Sequence, residues 1–248
     1  MEIGAQLFTL RNFCTNLSDF SETLKKVADI GYKTVQVSGV CPYEPEWLAE
    51  QLKKNDLRCV LTHTNVAADP LQTAKNHDVF DCQYAGLGYY DFDGTWENYN
   101  NFLQQFTPVA QILRDNGKYF MYHNHNKEFQ KLDGKHIFGR LAEDMPADLM
   151  GFTLDTYWIQ YGGMVPDRVL RDFKGRIPCM HVKDMGISGK EHKMLPIGYG
   201  TIDFEKVLDA CEYAGAQYVL VEQDRCNGLN PFDCLKMSYD YLKSLGLR

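Results

Sequence analysis

At 248 residues, with 44% hydrophobic, 13% aromatic and 24% charged residues, the chain has a globular composition and the length of one α/β barrel, so residues 1–248 read as a single domain. A formal net charge of −7 argues against the basic face that binding a phosphate backbone requires, and nucleic acid is not an expected partner. The opening MEIGAQLFTLRNF has no leader pattern, and no run approaches a membrane span, so a cytoplasmic protein without a membrane partner is expected.

Strand and helix signals alternate along the chain. Ile3 to Leu10 reads as the first strand, and Ser18-Asp19 opens a helix with Phe20, Leu24, Val27 and Ala28 on one face, stopped by Gly31. Lys33 to Ser38 follows as a strand, Glu46 to Asn55 as a helix, Arg58 to His63 as a strand, Pro70 to His77 as a helical piece and Cys82 to Gly88 as a strand. The helix from Trp96 to Asn116 carries Phe102, Phe106, Val109, Ala110 and Leu113 at helical spacing and ends at Gly117. Four more strands, Lys118 to His125, Met150 to Thr156, Ile177 to Asp184 and Gln217 to Asp224, are followed by helices starting near Ile137, Pro166, Asp203 and Pro231. Eight such units without a glycine-rich phosphate fingerprint predict a closed (β/α)8 TIM barrel. Met185 to Ile202 lacks periodicity and reads as an active-site loop. Eight cysteines without a C-x-x-C pair read as small buried hydrophobes.

The chemistry lies in polar residues that close the last four strands: His123 and His125, Asp155, His181, and Glu222. In a parallel barrel that end of each strand faces the active-site loops. Period-two alternation turns Asp155, His181, Lys183, Glu222 and Asp224 inward, while Phe152, Leu154, Met180, Val182, Val219 and Val221 turn towards the helices. His123 and His125 share one face. A lone strand-end His or Glu is usually a polar cap, but four on adjacent strands converge on one place. Two carboxylates and one or two imidazoles suit Mn²⁺, Mg²⁺, Co²⁺ or Zn²⁺.

The segments HNHNKEF, LDT at Leu154 to Thr156, HVKD at His181 to Asp184, PIGYGTID at Pro196 to Asp203 and VEQD from Val221 resemble the sugar phosphate isomerase/epimerase family with its xylose-isomerase-like barrel. IGAQLFTLR and GYKTVQV are similar to that family's first two strands. The resemblance implies one divalent metal held by the last four strands, a small-molecule keto sugar as substrate, and proton transfer through an enediolate. Asp155, His181 and Glu222 match the metal positions. Where ketose epimerases carry a Glu at the end of the fifth strand, His123 stands at or next to that position.

The expected activity is therefore a sugar isomerase or epimerase, with a lyase or dehydratase using the same site as the alternative. An apurinic endonuclease or a non-catalytic sugar-binding barrel ranks behind both. Glu222 is the expected proton-transfer group. Glu128 or His125 is the second, and Lys183 the stabiliser of negative charge or a contact to a substrate hydroxyl. His63, Gln36 and Trp158 are candidate substrate contacts, with Tyr157, Tyr89 and Tyr90 completing an aromatic wall. His77, His136 and His192 read as surface residues. No motif indicates a phosphate on the substrate, and self-association as a homo-oligomer, common in similar barrels, stays open.

Overall fold

The eight apolar runs form parallel strands that close on themselves in a computed structural model describing residues 1–247. They are β1 (Glu2–Gln6), β2 (Thr34–Val37), β3 (Arg58–His63), β4 (Tyr84–Leu87), β5 (Tyr119–His123), β6 (Met150–Asp155), β7 (Cys179–Val182) and β8 (Tyr218–Val221). Each strand pairs with its sequence neighbours, and β8 returns to β1. Around them lie α1 (Leu17–Ile30), α2 (Pro45–Lys54), α3 (Pro70–Val79), α4 (Trp96–Asp115), α5 (Ile137–Asp144), α6 (Thr156–Tyr161), α7 (Pro166–Asp172), α8 (Phe204–Ala214) and α9 (Pro231–Ser244). This is the single-domain (β/α)8 barrel that the alternation predicts.

Strand alternation divides the apolar residues into two layers. Val35, Phe120, Phe152, Leu154, Met180, Val182, Val219 and Val221 pack outward with the helices. Val60, Leu61, Tyr84, Met121, Cys179 and Leu220 fill the barrel axis. Burying each large side chain contributes about 1.5–3 kcal/mol. The inner layer floors the barrel beneath the strand ends, so polar residues there stand on packed support.

Short polar side chains start the helices by accepting otherwise unpaired N–H groups. Asn16 accepts from Asp19 N at 3.0 Å, Asp69 from Gln72 N at 2.8 Å and Thr95 from Asn98 N at 3.2 Å. Asp155 does the same for α6, accepting from Trp158 N at 3.0 Å through Oδ1. Between β2 and β3 the register slips: Val35 pairs with Cys59, but Gln36 pairs with Leu61. The extra residue, Val60, lets Leu61 enter the inner layer and carries His63 to the same side.

Three sequence expectations change, and one element is added. The first strand stops at Gln6 rather than Leu10, because the Gln6 side chain accepts from Phe8 N at 3.0 Å and turns the chain into a 3-10 helix over Leu7–Phe13. The segment read as an aperiodic loop contains a β-hairpin, Asp184–Ser188 paired with Glu191–Leu195, turning at Gly189 with φ 65°. His77 is buried rather than superficial, with its Nε2 2.9 Å from Thr62 Oγ1. A second small hairpin, Lys131–Leu132 with Lys135–His136, turns at Asp133-Gly134, both at positive φ. That Asp-Gly pair is a hairpin signal present in the sequence. No helix among the described residues is long and apolar enough to cross a membrane.

Candidate metal centre

Four adjacent strand ends deliver His123, Asp155, His181 and Glu222 to one place. One ligand atom from each lies within 4.8 Å of the others, and all four residues are buried. Asp155 Oδ2 is 4.0 Å from His123 Nε2 and 3.9 Å from His181 Nδ1, while His181 Nδ1 is 3.0 Å from Glu222 Oε2. Among the described residues this is the one grouping of metal-ligand type.

Surrounding hydrogen bonds set the tautomers. His123 Nδ1 lies 3.2 Å from the Thr153 carbonyl oxygen. A carbonyl only accepts, so Nδ1 carries the proton and Nε2 turns a lone pair to the cluster. His181 Nε2 lies 2.6 Å from Gln36 Oε1; with that oxygen accepting, the lone pair of His181 is on Nδ1. Outer hydrogen bonds of this kind orient metal-binding imidazoles and raise their basicity. Asp155 divides its carboxylate between the cap of α6 through Oδ1 and the cluster through Oδ2. Its backbone N donates to Asn124 Oδ1 at 3.0 Å.

Lys183 is almost wholly buried, with Nζ 3.0 Å from Asp155 Oδ2, 2.8 Å from Glu222 Oε2 and 3.1 Å from Asp224 Oδ2. Its aligned hydrogen bonds go to Asp224. Thr156 Oγ1 fixes its backbone, donating to the Lys183 carbonyl at 2.8 Å and accepting from Lys183 N at 2.9 Å. Burial opposes the ammonium charge, but the three carboxylates outweigh it and hold the pKa above the usual lysine value. Burial also opposes the charge of Glu222, yet the Lys183 ammonium keeps that carboxyl well below its ordinary range. Asp224 is pushed up to about 6 by burial and by Glu222. Burial raises Asp155 as well, against the pull of Lys183.

Asp155 Oδ2, His181 Nδ1 and Glu222 Oε2 are buried without an aligned hydrogen-bond partner. Three carboxylates beside one ammonium leave two negative charges uncompensated, and buried charge of that kind calls for a cation. The orphaned atoms, the lone-pair tautomers and the oxygen/nitrogen donor set fit a divalent ion.

Other candidates occupy the rim. The His63 ring lies 5.5 Å from that of His123 and 5.6 Å from that of His181, and its Nε2 has no partner. It fits because Gly86 and Gly88 lack side chains: a Cβ there would stand 2.6 and 2.8 Å from ring atoms. His125 packs 4.8 Å from His123 and 5.0 Å from Trp158, with Tyr89 edge-on at 5.1 Å. Burial lowers His63 to about 3 and His125 to about 4, and lowers His123 well below the usual imidazole value. Trp158 keeps an unpartnered buried Nε1 and lies under the Lys183 ammonium at 5.7 Å. Tyr157 is buried beside Trp158, whereas Tyr90 packs into Phe92, Phe102 and Phe106.

Glu128 is not brought to the cluster. It is fully buried with Oε1 on the Tyr122 hydroxyl and Oε2 accepting from His125 N at 3.0 Å, and Tyr122 belongs to the outer apolar layer. Gln36, expected at the substrate, instead pairs with His181. Thr153, Asn124 and Thr156 hold supporting contacts that no strand-end pattern announces. Only the repeated Asn of HNHN hinted at them.

Residues 24–245 match the model of a family described as "Xylose isomerase-like TIM barrel". The chain belongs to that family. Among curated family relatives, an inosose dehydratase from Clostridium beijerinckii is 28% identical over 156 residues, covering 54% of this chain and 50% of its own. The match thus spans about half the length of that relative. Among solved structures, a sugar phosphate isomerase/epimerase from Parabacteroides distasonis superposes with TM-score 0.85 at 18% identity, covering 99% and 94% of the two chains. An L-ribulose 3-epimerase gives 0.78 at 17%, covering 100% and 95%. A probable 3-DHS dehydratase from Bacillus anthracis gives 0.75 at 13%, covering 98% and 99%. These likenesses show the same fold, in proteins named for two reaction types.

Proposed function

We propose that this protein is a divalent-metal-dependent isomerase or epimerase of a small keto sugar or polyol derivative. One observation carries the reading: Asp155 Oδ2, His181 Nδ1 and Glu222 Oε2 are buried, lack an aligned hydrogen bond and converge from adjacent strand ends, with more carboxylate charge than Lys183 balances. A Mn²⁺, Mg²⁺, Co²⁺ or Zn²⁺ ion held by His123, Asp155, His181 and Glu222 would supply Lewis-acid polarisation of a substrate carbonyl. Glu222, kept ionised by Lys183, is the group to take a proton from the carbon beside that carbonyl. Lys183 offsets negative charge that develops on substrate oxygens. His125, neutral and with a free Nδ1, is placed to exchange the second proton. His63 and the Trp158 indole N–H contact hydroxyls, and the Trp158 face shields the ring from water.

A dehydratase is the second reading. Glu128 is committed to Tyr122 and His125, so the two-carboxylate pair that epimerisation at one carbon calls for is not assembled from Glu222 and Glu128. One acid/base group beside a carbonyl suffices for isomerisation or elimination. Elemental analysis followed by proton exchange into keto sugars in D₂O tests the proposal. Stoichiometric metal with metal-dependent deuterium incorporation is expected, and product analysis separates isomer from dehydrated sugar. A metal-loaded protein that catalyses no exchange into neutral or charged ketoses would refute it.

A further inference from the structure

Beside Asp224, the partner of Lys183, lies a chamber of about 780 Å³ lined by Phe8, Tyr157, Trp158 and Tyr161 and by residues 190–194 of the hairpin. That volume lies in the upper part of the roughly 300–1,000 Å³ range of small-molecule sites. It has room for a sugar ring and a substituent. The four clustered residues line neither this chamber nor a larger cavity of about 900 Å³ that involves Met1, Glu205, Asp209 and Glu212; the chamber adjoins them through Trp158, capped by Asp155, and through Asp224, paired with Lys183.

The charge of the chamber runs against that of the protein. The whole chain carries −7, yet Arg11, Lys190, Lys193 and Arg225 line this space, against Glu191 and Asp224. Asp224 is already engaged by Lys183. None of the four cations joins an ion pair among the described residues. Arg11 is the best fixed: its guanidinium donates to the carbonyls of Phe8 at 2.8 Å and Asp224 at 2.9 Å and stacks 4.4 Å over the Phe8 ring. Its partners are neutral oxygens, so its charge is held in place without being cancelled, and N–H donors remain.

We infer that the substrate is a keto-sugar derivative bearing an anionic group, a carboxylate or a phosphate, which sits in this chamber among Arg11, Lys190, Lys193 and Arg225 while the keto end reaches the metal centre. The inference rests on the proposed sugar-converting role. The four cations come from three separate chain segments, so no linear motif announces them.

Calorimetry on the full chain loaded with Mn²⁺ compares D-fructose, D-fructose 6-phosphate and D-fructuronate at low and high salt. One charged ketose should bind roughly 10- to 100-fold tighter than fructose, as expected from a few partly screened ion pairs. High salt and the K190Q/K193Q/R225Q variant should each shrink that ratio towards one. Which charged ketose binds tighter separates carboxylate from phosphate. Equal or tighter binding of fructose, or a ratio unchanged in the variant, would overturn the inference. Deuterium exchange on the same three sugars keeps the two readings apart: charge-selective binding without exchange would sink the enolisation chemistry and leave anionic-sugar binding standing.

Discussion

Glu128 gives the sharpest test of how this barrel handles buried charge. Burial pushes its carboxyl from 4.5 up to about 7, against the pull of its Tyr122 and backbone hydrogen bonds. Between those two values the folded protein holds a proton that the unfolded chain has released. Stability therefore falls as pH rises from about 4.5 to about 7 and then levels off. At 1.36 kcal/mol for each pH unit the full span is about 3 kcal/mol. Glu128→Gln removes the titration while keeping the shape: its carbonyl can accept from His125 N and its amide can donate to the Tyr122 oxygen. At pH 8 the variant should be more stable than the parent by up to about 3 kcal/mol, a rise in Tm of roughly 6–12 °C for a chain of this length. At pH 4, below both values, the two should nearly coincide. Urea unfolding of both proteins at several pH values, with metal held constant, measures the difference directly. A difference that stays constant from pH 5 to pH 8 would show that Glu128 does not titrate in this range and would refute the reasoning.

Asp155→Asn should abolish stoichiometric metal binding, and it should also abolish the stabilisation of about 2.7 kcal/mol expected for the parent when free metal is a hundred times Kd; thermal unfolding with and without Mn²⁺ reads both. Gln36→Leu frees the His181 ring and should weaken metal affinity by roughly 10- to 100-fold, with secondary structure by circular dichroism unchanged; unaltered affinity would remove Gln36 from that role. Asp184 accepts from Met185 N at 2.7 Å, Gly198 N at 3.0 Å, Gly200 N at 2.7 Å and Ile202 N at 3.3 Å. Asp184→Asn should therefore loosen the segment that follows β7, costing about 1.5–3 kcal/mol. Trypsin should then cut faster at Lys190 and Lys193, and an unchanged cleavage rate would count against the tether.

The barrel and the convergence of His123, Asp155, His181 and Glu222 were legible because both depend on local periodicity. A polar residue ending an inward-facing strand declares its direction through its apolar neighbours, as Leu154 does for Asp155 and Val182 for His181. What stayed hidden depends on partners far along the chain. The Gln36 contact with His181 spans the barrel from β2 to β7. Glu128 lies in a short 3-10 turn, Lys127–Phe129, that carries it to the Tyr122 hydroxyl instead of the ligand cluster. Burial of His77 follows from Thr62 rather than from any pattern in α3. The 184–195 hairpin was obscured because Gly186 and Gly189 interrupt its alternation, and its far end is tied down by Asp184.

Asp155 connects two parts of the barrel that look separate. One carboxylate oxygen faces the cation position and the other holds the first turn of the helix that carries Trp158. Metal ligation alone would tolerate Glu, whose oxygens are equally hard donors. The helix start would not, because a side chain longer by one methylene overshoots the N–H it must accept, and losing such a cap costs about 1 kcal/mol. Residue choice at this position is thus narrower than the coordination chemistry requires. The helix that carries Trp158 and the His123–Asp155–His181–Glu222 cluster share one anchor, so a shift of Trp158 cannot proceed independently of the cluster below it.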